Sequence, residues 1–193
     1  MAGRGYQQEK RAEAALETRR RLVQATFELH QEQGIAATTM AQIAKRAGFG
    51  MGTVYHHFQN VEETVQACGQ MVMATYPPPG EEVFAGVASL PERVRKLAAA
   101  LWAHHDHLTY DRVRRDQDCA PIVKTFVVAE ESHRIELTRA ALAPFVVDRD
   151  LVRLAAALLD IDVCRSLQRM GQSIDQAAAS IADIIHARVT RKG

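Results

Sequence analysis

Between Thr39 and Phe58 there is room for only two short helices, and this limits what the whole chain can become. Thr39-Met-Ala-Gln42 is a capping box, in which the threonine hydroxyl and the glutamine side chain each satisfy a backbone N–H of the other's residue. Ile43, Ala44 and Ala47 follow as an apolar face, and Gly48 and Gly50 then interrupt the helix. Residues 51–58 form a second short helical segment. Two short helices joined by a tight glycine-bearing turn make a helix-turn-helix. The first crosses the DNA backbone and the second lies in the major groove. Ala44 is small enough for the helices to approach closely, Gly48 tolerates a positive φ, and Val54 is placed to face a core. Thr53, Tyr55 and His56 then point outward, with donors suited to phosphates and base edges.

The rest of the chain is also helical. No segment alternates with period two, and β-branched residues do not cluster between turn signals. Residues 1–10 are polar and are expected as a mobile tail. A helix is expected over 13–33, with Leu22, Ala25, Phe27 and Leu29 on its apolar side, Gly34 at the left-handed position after its end and Ile35 packing back. Asn60-Val-Glu-Glu63 opens a further helix that Pro77-Pro78-Pro79-Gly80 stops. Longer helices are expected over 91–107, 121–142, 148–170 and 173–191. Ser173-Ile-Asp-Gln176 is a further capping box, and Gly171 separates the last two helices. The expected architecture is all-α, in three parts: a polar extension over 1–17, a DNA-binding head over 18–62, and a connecting helix with a helical core over 63–193.

Composition excludes several classes. No apolar run reaches the 18 or so residues of a membrane span, and the first twenty residues lack the apolar stretch of a secretory signal. The three cysteines (Cys68, Cys119 and Cys164) are widely spaced, as expected of thiols in a reducing cytoplasm. Residues 1–61 carry eight Lys/Arg against five Asp/Glu, and residues 62–193 carry sixteen against eighteen, so the mild positive excess lies with the motif. That excess alone does not argue for nucleic acid.

Residues 34–58, GIAATTMAQIAKRAGFGMGTVYHHF, resemble the tetracycline-repressor-like (TetR) family of bacterial transcriptional regulators, with the likeness extending over about 50 residues from Arg19. The resemblance implies a three-helix DNA-binding head, a connecting fourth helix and a core that binds a small molecule and dimerises. By position, Thr53 and Tyr55 match phosphate-contacting residues of the family, and Gly52 and His56 lie on the groove-facing stretch. Two positions depart from the pattern. Gly50 stands where the family has a capping Ser or Thr, and Val61 stands where it has Lys, so affinity is expected to lean on Arg19, Arg20, Arg21, Lys45 and Arg46. The expected DNA-contacting set is Thr39, Gln42, Lys45, Arg46, Met51, Gly52, Thr53, Tyr55 and His56.

In the core, Trp102, His105, Phe126 and Glu130 are the candidate ligand-lining residues, with His133 one turn from Glu130. A symmetric partner is expected to cover the apolar stripes of the last two helices: Leu151, Leu154, Leu158 and Ile161 on one, Ile174, Ile181, Ile184 and Ile185 on the other, with Ile181 on the seam. His104-His105-Asp106-His107 suggests a metal-dependent enzyme as an alternative. His105 points away from its neighbours on a helix, however, and no HExxH spacing exists. Cys119, near Arg114 and Arg115, is a candidate redox sensor. A DNA-binding protein with no ligand is the other alternative. The sequence thus predicts a cytoplasmic, homodimeric, ligand-responsive repressor. It would bind double-stranded operator DNA and a small-molecule effector, with no cofactor, no metal, no catalytic residues and no membrane partner.

Overall fold

The structure, a computed structural model, describes residues 2–107, 114–116, 121–145 and 148–191. Its described elements are helical: α1 (Ala2–Gln33), α2 (Met40–Ala47), α3 (Met51–His57), α4 (Val61–Thr75), a 3₁₀ turn (Glu81–Phe84), α5 (Leu90–His107), α6 (Pro121–Leu142), α7 (Arg149–Leu158), α8 (Ile161–Arg169) and α9 (Ile174–Thr190). None of these helices is long and apolar enough to cross a membrane. The chain forms two compact units, Met1–Thr75 with Asp111–Thr125, and Tyr76–Tyr110 with Phe126–Gly193.

The first unit closes over Leu22, Val23, Ala25 and Leu29 of α1, Met40, Ile43, Ala44 and Ala47 of α2, Val54 and Phe58 at α3, and Ala67 and Cys68 of α4. The 3–4 spacing in each helix turns these side chains to one face. Both sides of the Thr39–Gln42 capping box are formed. Gly48 ends α2 at φ 73°, a conformation that costs an L-residue with a β-carbon about 1–2 kcal/mol. Two expectations change here. The stretch expected as a mobile tail is helical, continuous with α1, with Lys10 lying over the Tyr6 ring. The connecting helix α4, expected with the core, packs on α1 and belongs to the first unit.

In the second unit α9 packs on α5, and α5 also meets α8 and the 3₁₀ turn. Arg93 of α5 binds two segments together. It donates to the carbonyls of Ala140 and Ala141 at the end of α6 and to those of Phe84 and Val87, and it lies over the Phe84 ring. The expected helix over 148–170 is in fact two helices, α7 and α8, broken at Leu159 and Asp160. Asp160 caps α8 by accepting from Asp162 N. Carbonyls at the end of α7 receive side-chain donors from elsewhere: Trp102 Nε1 donates to Leu159 O at 3.0 Å, and Arg134 donates to Ala156 O. Arg134 also reaches Asp160 Oδ2 at 2.9 Å. The break is stable because its polar groups are paired.

Candidate nucleic-acid interface

The α2–α3 hairpin turns its apolar residues inward, and what remains outside is the candidate interface. Thr39 is exposed at the start of α2, and its hydroxyl and backbone are both engaged with Gln42. The Gln42 amide also pairs with Gln33. On α3, Val54 is fully buried while Met51 and Tyr55 are 38% and 53% exposed, large side chains presented to solvent. His56 is exposed beside them and Thr53 is half-buried. A β-carbon at Gly50 or Gly52 would meet no atom within 4 Å, so nothing inside this unit requires glycine at either position. Gly50 leaves α3 without a side-chain N-cap.

The cations have a less uniform fate than expected. Lys45 is exposed at the end of α2. Arg46 folds back onto α1, with its two terminal nitrogens 2.9 and 2.6 Å from the Glu32 carboxylate and a longer contact to Glu28. This pairing holds the Glu32 carboxyl below its ordinary range. Arg20 pairs with Glu17. Arg19 and Arg21 each reach a helix-terminal carbonyl: Arg19 donates to His57 O at 3.1 Å and Arg21 to Ala47 O at 2.8 Å. Burial lowers the His57 pKa, and the neighbouring His56 and Arg19 lower it further.

A contact that the sequence did not suggest closes the α1–α2 turn. Asp116 Oδ2 accepts from Ile35 N at 2.6 Å and from Ala36 N at 3.2 Å. Gly34, at φ 93°, lies against it, and a β-carbon there would come within 3.0 Å of the same oxygen. Gly34 was legible as a helix terminator, but the carboxylate it lies against, Asp116, is 82 residues away along the chain. His30 is buried nearby. Its Nε2 has no hydrogen-bond partner among the described residues, and burial lowers its pKa to about 4 against the opposing pull of Asp116.

In the second unit the expected ligand-lining residues have structural partners. Trp102 is wholly buried, with its indole N–H on Leu159 O. His105 is buried with Nε2 3.3 Å from Glu130 Oε1, and the same oxygen accepts from Arg134 Nε at 3.1 Å. Phe126 is half-buried on α6, and His133 Nε2 donates to Pro79 O at 2.8 Å. Among the described residues no three His, Cys, Asp or Glu side chains converge as a metal site would need. The His107 side chain and Cys119 lie outside the described residues. Cys68 and Cys164 are buried, and burial pushes their thiols up to about 12 and about 11.

The two apolar stripes divide. Leu151, Ile161, Ile181 and Ile185 are buried within the chain, which takes Ile181 off the expected seam. Ile174 is half-buried. Leu154 and Ile184 stay 48% and 52% exposed, and with Leu158 they line a groove of about 310 Å³ bordered by Arg188 and Arg191.

Residues 22–68 match the model of the bacterial regulatory proteins of the tetR family. Over 58 residues the chain is 43% identical to the HTH-type transcriptional regulator SrpR of Pseudomonas putida, a match covering 30% of this chain and 27% of that protein. The chain therefore aligns with about a quarter of that relative's length. Among solved structures, SCO7518 from Streptomyces coelicolor A3(2) superposes with a TM-score of 0.61 at 21% identity, covering 90% of this chain and 98% of that one. The multidrug binding protein EbrR, complexed with imidazole, superposes with a TM-score of 0.59 at 18% identity, covering 86% and 93%. The same all-α fold accommodates these distant sequences.

Proposed function

We propose that the chain, whose residues 22–68 match the model of the bacterial regulatory proteins of the tetR family, is a ligand-responsive transcriptional regulator of the cytoplasm. It acts as a homodimer on a two-fold-related DNA site, most simply as a repressor released by a small molecule. The observation that carries this reading is the outer face of α3. Met51, Tyr55 and His56 stand exposed on a helix anchored by the buried Val54, beside two glycines with no internal need to be glycine. Such a face suits close approach to a nucleic-acid backbone. Thr53, Tyr55 and Lys45 are assigned to phosphate, and His56 and Met51 to base edges. Thr39, Gln42 and Gly52 border the same face, while Arg46 supports it from behind through Glu32.

The groove of Leu154, Leu158 and Ile184 supports dimerisation across α7 and α9, because a second copy would remove these side chains from water. A dimer presents two α3 helices to successive major grooves. An effector that binds the second unit better in a spacing unsuited to DNA shifts the population away from the operator. By linkage, DNA weakens effector binding by the same factor.

The test is binding of the purified chain to duplexes selected from a random pool, measured over a range of salt. Affinity should fall linearly on a log–log plot, with a slope set by the phosphates neutralised. Lys45→Ala should reduce that slope by about 1, and Tyr55→Phe should weaken all sequences alike. Selection that yields no two-fold-related site, or an affinity flat against salt, overturns the proposal.

A further inference from the structure

Arg19 and Arg21 do the same thing to two different helices. Arg19 Nη1 donates to His57 O, the last residue of α3, and its guanidinium lies 4.3 Å from the ring centre of Phe58, the residue that follows. Arg21 Nη2 donates to Ala47 O, the last residue of α2, and its guanidinium lies 4.6 Å from the ring centre of Phe49. In each case one planar cation both satisfies a helix-terminal carbonyl and stacks on the aromatic ring one or two residues beyond it. Helices of eight and seven residues are too short to persist alone, so packing and end restraints set their orientation. Residues two apart on a helix point about 200° apart. Arg19 and Arg21 therefore leave α1 on opposite flanks, one toward each arm of the hairpin.

Building on the reading of this hairpin as the DNA-binding element, we propose that Arg19 and Arg21 are positioning residues for DNA recognition. The shape of their guanidinium groups fixes α3 and α2 against α1, and neither binds phosphate. Lysine would keep the charge but could not present a flat face to the ring and a fork to the carbonyl together.

The experiment compares wild type with R19K, R21K, R19A and R21A. Each is measured for binding to the duplex that the wild type selects from a random pool and to random duplex, across salt. Circular dichroism melting identifies the variants folded at assay temperature, and the lysine variants carry the test if the alanine variants unfold. The lysine variants should lose at least fivefold in the ratio of selected to random affinity, with the salt slope unchanged. Three results overturn the proposal with the DNA reading intact. In the first, R19A or R21A cuts the slope by about 0.9 while lysine restores wild-type affinity, as for a phosphate contact. In the second, selected and random affinities fall equally, as when the folded fraction drops. In the third, the ratio does not change in either lysine variant. A wild-type chain that selects no duplex overturns the DNA reading and this proposal together.

Discussion

His30 shows how one buried side chain ties stability to pH. Its pKa of about 4 is below the ordinary histidine value because burial disfavours the imidazolium more than Asp116 favours it. The folded pKa lies below the unfolded one, so the unfolded chain takes up the proton first as pH falls. The stabilisation from keeping this ring neutral is full above the ordinary histidine pKa of about 6.5 and drains away toward the folded value of about 4. Between pH 7 and pH 5 this group alone should cost about 2 kcal/mol. Denaturant unfolding of His30→Leu at both pH values should show a loss smaller than that of wild type by about this amount. Equal losses in the two proteins would refute the assignment. The Asp116 carboxylate also explains why a bulkier residue at position 34 would be resisted twice, by the backbone at φ 93° and by the Asp116 oxygen.

Among the elements, the break between α7 and α8 rests on side-chain donors from elsewhere in the chain. Trp102→Phe keeps an aromatic ring in a fully buried site but leaves Leu159 O without its side-chain donor. An unsatisfied buried carbonyl costs about 1–3 kcal/mol, to which the smaller ring adds a cavity. A melting midpoint within a degree of wild type would show that this bond does not hold the break. The same break shows where the sequence stops being informative. The capping boxes at Thr39–Gln42 and Ser173–Gln176 and the turn at Gly48 were legible because each needs residues only a few positions apart. Ala155 to Ile161 reads as uninterrupted helix. The donors that break it come from Trp102 and Arg134, 57 and 22 residues away from the carbonyls they meet. The outer face of α3 was legible from the position of Val54. The diversion of Arg46 onto Glu32, and of Arg19 and Arg21 onto helix ends, was not, because charge on a helix surface does not reveal its partner.

At the scale of the molecule, burial sorts the aliphatic residues of the last helices into two roles that periodicity had merged. Ile181 is 3% exposed and Ile184 is 52% exposed, though they are neighbours on one helical stripe. Ile184→Glu should leave each chain folded and shift the proposed dimer to monomer, with operator affinity falling because one head keeps half the contacts. Ile181→Glu should instead unfold the second unit, since a carboxylate there has no water. Sedimentation velocity with circular dichroism separates the two outcomes. A folded monomer from the Ile181 variant, or an undisturbed dimer from the Ile184 variant, would reverse the assignment of faces. A chain with its last helices so divided needs no rearrangement to present Leu154 and Ile184 to a second copy.

The arginine pair on α1 also divides that helix into a part that must keep count and a part that need not. Inserting one residue between Arg21 and Leu22 would turn everything upstream by about 100° and move it about 1.5 Å along the axis, carrying both guanidiniums away from their carbonyls at once. The same insertion among residues 5–17, which are exposed throughout, would disturb no packed contact. Reading-frame-preserving insertions and deletions should therefore accumulate freely in natural variants of this gene up to about Glu17 and vanish from there to Gln33. The first half of the longest helix is open to length drift, and the second half is a ruler.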